Sequence, residues 1–535
     1  MEPEIIELFI ERFPKYTFSL PLWFEGSEKD LAIPPGAELL YLYGIGDGKL
    51  PSQVWHWLKE NSKYRVVFLE PDSNRIVELL EKQYARDLLE CKQIEIVHLS
   101  GRYILKELAE QYPLRGVHVL PFSIVDRRNF HRVKAQLLRK TALTHAHFLE
   151  RLHGYIPFSH LVKNLQRLPS AFYANRLKGA FVNVPAVICG AGPSLAASIE
   201  ELRQLENRAL ILAGGSAIAV LNHYGITPHF ALAIDPNSDE IERLKNSYPH
   251  KVPLLFSSRL IPEAFAGWRG PLGYLRSGMA GIPELWFEEQ LGLTEPVLGE
   301  KLSPESLSIT SLAAAFAVHL GCNPILFDGV DLAYTDHQRY AKGVVFEEQG
   351  GDLQPIDRRL SKRDRTGKMT ESAVRWVMEA QALARFAKKH RDRCWINSTQ
   401  GGLGLKGIET RSFKDLNFTQ TWNLREMICN AIQNAPMPSN TKIILEEKMA
   451  ELRGSLQNVI AHLEVLIGGK NSVLAELELK EEMATSLLFF DYERTIRTAL
   501  GSCDQMAIWK LLHEIAVRYL TAASSLEKES LLQKE

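Results

Sequence analysis

The chain of 535 residues is poor in sulfur chemistry, has no excess of either charge and contains no long apolar run. Its 6 cysteines (Cys91, Cys189, Cys322, Cys394, Cys429 and Cys503) are scattered and form no CxxC pair. That pattern argues against a disulfide scaffold or a cysteine-held zinc, and fits buried thiols in a reducing compartment. The formal net charge is -1, so no global field draws the chain to nucleic acid or to an anionic membrane. No stretch approaches the roughly 18 apolar residues of a membrane span. The N-terminus, MEPEIIELFIERF, is acidic and amphipathic rather than a secretory signal, so a cytoplasmic location is expected. A Walker-type GxxxxGK(S/T) is also missing, which excludes a P-loop kinase. What is present, 45% hydrophobic and 24% charged residues, suits a soluble globular protein of about 3 domains at roughly 150 residues each.

The most informative stretch is AVICGAGPSL, residues 186–195. An apolar run breaks into a tight glycine turn and then an amphipathic pattern, which predicts strand, turn and helix. Gly190 and Gly192 let a backbone approach closely. Pro193 suits a first helical turn. The amides of Ser194 and Leu195 then open a helix, a place that favours phosphate. Further polar loops follow apolar strand candidates: Gly214–Gly215–Ser216, Asp235–Pro236–Asn237, Asp328–Gly329–Val330–Asp331, and Asn397 to Gly402 with Thr399. Ser308, Thr310 and Ser311 open a helix with small residues and are candidates for capping it or for touching a ribose or phosphate. In open α/β sheets ligands bind at the carboxyl ends of the strands.

An earlier unit repeats the theme. Tyr43-GIGDG, a helix to Asn61, a strand at 65–69 and Glu70–Pro71–Asp72 form a β-α-β pattern with a closing acid. It reads either as a ribose-binding site or as scaffold alone. The basic residues Arg127, Arg128, Arg132, Lys134, Arg139 and Lys140 read as a solvated helix face or as a contact for an acidic partner. Residues 259–300 read as an irregular aromatic stretch. Residues 343–370 read as a long polar loop or hairpin, either a functional lid or a solvated insertion. The expected organisation is an α/β fold: a Rossmann-like domain over 1–125, a helical connector over 126–180, a central α/β domain over 181–410 and a helical region over 411–535.

The set GAGPSL (190–195), Gly225 to Pro236, HLGCNPILFDGVDLAY (319–334) and INSTQGG (396–402) resembles the motility accessory factor (Maf) family of flagellin glycosyltransferases. The middle domain also resembles the archaeal 6-hydroxymethylpterin diphosphokinase (MptE-like) domain. It is in turn similar to sialyltransferases that use a CMP-activated nonulosonic acid. That resemblance implies donor binding by Gly190, Gly192, Pro193, Ser194, Leu195, Gly329 and Asp331. It implies leaving-group contacts from Tyr334 and Tyr340. His337 lies between them and is the candidate base, although the sialyltransferase base stands further downstream. Gly214, Ser216, Asp235, Ser308, Thr310, Ser311 and Thr399 complete the candidate nucleotide site.

Three functions follow as expectations. The first is transfer of a nonulosonic-acid-like sugar from a CMP donor to Ser or Thr of a surface protein such as flagellin, with no cofactor. The second is pyrophosphoryl transfer from ATP, with Mg²⁺ held by Asp235 and Asp331. The third is a non-catalytic nucleotide-binding scaffold that oligomerises through its C-terminal helices. Structural roles compete at each site residue: Asp235 as a strand end, Asp331 as a turn cap, His337 as a surface histidine, His319 as part of the packing.

Overall fold

The computed structural model describes residues 31–532, except 102, 113–115, 124–125, 246–250, 301, 303–307, 345–358, 417, 470–472, 490–491 and 493–503. The chain divides into two compact units, residues 1–149 with 355–360, and the remainder.

The first unit is built on a parallel sheet of β1 (Leu39–Tyr43), β2 (Arg65–Glu70), β3 (Ile94–His98) and β4 (Val117–Pro121), in the order β3-β2-β1-β4. Every residue of β1 is buried, as expected of a strand covered on both faces. One face packs Leu40, Leu42, Val66 and Phe68 against Val54, Ile76 and Leu88 of the helices 52–60, 73–80 and 85–90. The other packs Tyr41, Tyr43 and Leu69 against Leu108, Phe130 and Leu137 of the helices 104–111 and 127–152.

The second unit carries nine parallel strands: β5 (Phe172–Tyr173), β6 (Ala186–Cys189), β7 (Leu210–Gly214), β8 (Phe230–Ala233), β9 (Leu254–Phe256), β10 (Leu272–Tyr274), β11 (Ile325–Asp328), and, beyond a ribbon of β12 (Arg359–Arg363) and β13 (Met369–Ala373), β14 (Trp395–Asn397) and β15 (Glu409–Thr410). The sheet order is β15-β14-β11-β6-β7-β8-β9-β10-β5. Alternate residues feed two cores. Val187, Ile211, Ala231 and Phe256 face the helices 199–204, 216–223 and 441–467. Ile188, Leu212, Phe230 and Phe327 face the helices 309–320, 374–389 and 424–433.

Both α/β units and the C-terminal helices agree with the expected fold class. The boundaries expected at 180/181 and 410/411 separate no compact units. The reason is the core: Leu161 and Val162 from the connector and Leu452, Leu456 and Val459 from the C-terminal region lie in one cluster with the sheet. The stretch 259–300 is more ordered than expected, with β10 and a helix at Ile282–Gln290. Of the polar loop 343–370, residues 345–358 lie outside the described residues, and 359–373 form the ribbon.

Candidate functional site

From β6 the chain runs outward through β7, β8, β9 and β10, then returns to place β11 on the other side of β6. The point where strand order reverses lies between β6 and β11. This is the crevice where open α/β sheets bind ligands. The loops 190–195 and 328–331 leave the carboxyl ends of these two strands, and β14 adds the loop 398–402 beside them.

The three loops are joined around Asp331 and Ser194. Asp331 accepts hydrogen bonds from the Ser194 hydroxyl at 2.7 Å, the Ser194 N–H at 3.3 Å and the Thr335 hydroxyl at 2.7 Å. The Gly401 N–H donates to Ser194 Oγ at 2.7 Å. The Leu403 N–H donates to the Asp331 carbonyl, and the Val330 N–H to Thr399 Oγ1. Burial pushes the Asp331 carboxyl above the usual carboxylate range, opposed by its bonds from Thr335 and Ser194. Asp328, wholly buried, is pushed up by burial more strongly, against the bond from Ser198.

The glycines of the motif serve this junction. A Cβ on Gly190 would stand 2.3 Å from the Gly329 carbonyl oxygen, and one on Gly192 would stand 2.1 Å from Asp331 Oδ2. The Gly190 and Gly192 N–H groups donate to the carbonyls of Asp328 and Gly329. Residues 193–198 form a 3-10 turn rather than the start of an α-helix. The amide of Ser194, expected to face phosphate, is engaged by Asp331. Leu195 is fully buried.

A second group lies at the ends of β7 and β8. Arg243 Nη1 bonds Asp235 at 3.3 Å and Glu240 at 3.2 Å. Asp235 also accepts from the Asn237 N–H. The buried Glu240 carboxylate lies over Gly215, where a Cβ would stand 3.5 Å from Oε2. Burial lifts Glu240 to about 7 despite Arg243. Ser216 opens the helix 216–223 next to it. Tyr340 is within electrostatic reach of Arg243, and its ring carries the Arg339 guanidinium at 4.8 Å.

The remaining candidates divide. Ser308 caps the helix 309–320 in a capping box with Ser311, and Ser308 and Thr310 both bond Glu379, so all three have structural roles. Gly214 seats Ile309, whose Cγ1 would be 2.4 Å from a Cβ there. Tyr334 is buried with its ring 5.0 Å from Trp376. His337 is exposed in the turn 335–338 with φ 63°. His319 bonds the Asn175 carbonyl and is structural. Asp235 and Asp331, the candidate metal ligands, have separate partner sets. Among the described residues no group of three His, Cys, Asp or Glu side chains converges as a metal site, and no helix is long and apolar enough to cross a membrane. In the first unit, Glu70 accepts the Ile45 N–H at 2.7 Å and the Asp72 N–H at 2.9 Å. The acid expected to meet a ribose holds its own glycine loop instead.

Sequence reasoning missed Thr335, Gly401, Glu240, Arg243 and Glu379. Only Gly401 had a signal, the paired glycines of the 398–402 loop. Glu240 and Arg243, three apart on a charged helix, look in sequence like a solvated face.

Residues 159–337 match the family model described as 6-hydroxymethylpterin diphosphokinase MptE-like. None of the curated proteins matches. The "Structure of MAf glycosyltransferase from Magnetospirillum magneticum AMB-1" is 15% identical, with a TM-score of 0.49, covering 92% of this chain and 79% of that one. The GAGPSL loop, the Gly225–Pro236 element and the 319–334 motif all fall within the matched segment, whereas INSTQGG and the Tyr43–Asp72 unit fall outside it. The segment 159–337 is thus what is similar to the MptE-like family model, and it holds three of the four motifs that carried the resemblance in sequence.

Proposed function

We propose that the protein is a transferase that takes its donor as a nucleotide conjugate, and that the reaction is glycosyl transfer of the Maf type. The observation that carries this reading is the crevice between β6 and β11. Polar loops from three strands, β6, β11 and β14, gather there at the edge where α/β sheets hold nucleotides. The donor would be a CMP-activated, nonulosonic-acid-like sugar, and the acceptor a Ser or Thr hydroxyl of a surface protein such as flagellin. The bond from the anomeric carbon to the CMP phosphate breaks, a bond to the acceptor oxygen forms, and the acceptor proton leaves to a base. His337, exposed beside the crevice loops in sequence, is the candidate base, since an imidazole titrates near neutrality. Tyr340 is the candidate donor to the departing phosphate, whose negative charge calls for placed hydrogen-bond donors.

The competing reading, pyrophosphoryl transfer from ATP, needs carboxylates free to hold Mg²⁺. It is disfavoured by the engagement of Asp331 with Ser194 and Thr335 and of Asp235 with Arg243.

Thermal stabilisation by CMP, by CTP and by ATP with Mg²⁺ tests the proposal. A ligand at 100 times its Kd adds about 2.7 kcal/mol to the folded state. Stabilisation by CMP without metal is expected. A response to ATP–Mg²⁺ with none to CMP would overturn the reading.

A further inference from the structure

We propose that the first unit has a binding site of its own, for a small oxyanion carried on a short apolar body. The site is a cleft of about 160 Å³ at the carboxyl edge of the four-stranded sheet. Pro71 follows β2 there, Leu99 and Gly101 follow β3, and Ile104 and Leu105 open the helix 104–111. The opposite wall is one face of the helix 127–152: Asn129, Arg132, Val133 and Gln136.

The chemistry of that wall is fixed by a short chain of hydrogen bonds. Tyr43 ends β1, with its ring packed 5.5 Å from Phe130. The Asn129 amide donates to Tyr43 Oη at 2.7 Å, and Arg132 Nη2 donates to Asn129 Oδ1 at 2.7 Å. Asn129 therefore ties the guanidinium to the sheet, although Arg132 itself is exposed. Arg132 forms no ion pair with a described residue, and a guanidinium has five N–H donors. Arg132 and Gln136 both line the cleft, and the remaining donors suit an oxyanion, because an arginine binds carboxylate or phosphate through paired N–H groups. Leu99, Ile104, Leu105 and Val133 supply an apolar wall for a few carbons.

Size and charge set the class. Pockets for drug-sized ligands measure roughly 300–1,000 Å³, so this cleft suits one anionic group and a short chain rather than a dinucleotide. Glu70, the residue that would receive ribose hydroxyls in a dinucleotide site, is already bonded to Ile45 and Asp72. The cleft thus gives a role to Arg132, one member of the basic cluster in the sequence, and it is independent of the transfer reaction proposed for the second unit.

Isothermal titration of the full chain with butyl phosphate, butyrate and inorganic phosphate tests the proposal. At least one butyl compound is expected to bind saturably and more tightly than inorganic phosphate, and the tighter of the two assigns the group as a phosphate ester or a carboxylate. Arg132→Gln is expected to weaken that binding by roughly tenfold or more, the loss of a hydrogen bond to a charged group. Arg128→Gln removes the same charge from an exposed residue outside the cleft and is expected to change binding less than about twofold. Both variants should melt with the wild type. Absence of saturable binding by all three compounds, inorganic phosphate binding as tightly as both butyl compounds, or equal losses in the two variants would each overturn the proposal.

Discussion

Replacing Asp331 with alanine tests whether the carboxylate is the tie that joins the crevice loops. Truncation leaves three donors without their acceptor: the Ser194 N–H, the Ser194 hydroxyl and the Thr335 hydroxyl. Each buried group left unsatisfied costs about 1–3 kcal/mol. Relief from desolvating a carboxylate offsets part of the sum, so a loss of about 3–5 kcal/mol is expected, at the high end for one substitution. Asp331→Asn keeps an oxygen for the two hydroxyls but turns an amide toward the Ser194 N–H, and should cost about 1–2 kcal/mol by the same reasoning. Differential scanning calorimetry is the assay, following the transition of the second unit, because the two units need not melt together. The shift is roughly 2–4 °C per kcal/mol for domains of 150–250 residues and falls with size, so at the low end, for this larger unit, Asp331→Ala should lower Tm by about 6–10 °C and Asp331→Asn by about 2–4 °C. If Asp331 holds the loops rather than the donor, Asp331→Asn also keeps nucleotide stabilisation. A Tm for Asp331→Ala within about 1 °C of wild type, or Asp331→Asn below Asp331→Ala, would refute the argument.

His337 sits at φ 63°, a conformation that asparagine tolerates far better than most residues. His337→Asn therefore removes the imidazole while sparing the turn. A fall of roughly 100-fold or more in CMP release at unchanged Tm is the expected outcome for a general base, and unchanged turnover would remove His337 from the reaction. A pH effect is expected from the buried pair Glu284 and Glu288, both bonded to the Tyr274 hydroxyl. Burial, then the neighbouring Glu284 charge, lifts Glu288 to about 8. A carboxyl raised in the folded state stabilises it fully below its unfolded value, near 4.5, and that contribution is lost as pH rises through about 8. Tm should fall between pH 5 and 8.5, and Glu288→Gln should flatten that fall; identical slopes in the two proteins would contradict the assignment.

The sheets were legible where strands are long and apolar. Leu39–Tyr43, Leu210–Gly214 and Ile325–Asp328 stand out because burial on both faces selects an unbroken run. The far edge of the second sheet was not legible, for two physical reasons. β10 is three residues long with a glycine at its centre and owes its existence to pairing with β9 and β5. The helix 282–290 points Glu284 and Glu288 inward, toward Ser258, Tyr274 and Arg276, so its buried face looks polar in sequence. The site shows the same division. The loops that meet at the crevice were readable as polar ends of apolar strands, and the structure brings Gly190, Gly192, Ser194, Gly329, Asp331 and Thr399 together. What each contact is for was not readable. A glycine beside a ligand and a glycine beside another loop need the same missing Cβ. Only the position of the Gly329 carbonyl and the Asp331 carboxylate shows that loop packing alone already demands glycine at 190 and 192. A donor in this crevice would therefore meet a wall that is finished before it arrives, with the groups at Ser216, Asp235 and Tyr340 placed toward the β7–β8 side of the same edge.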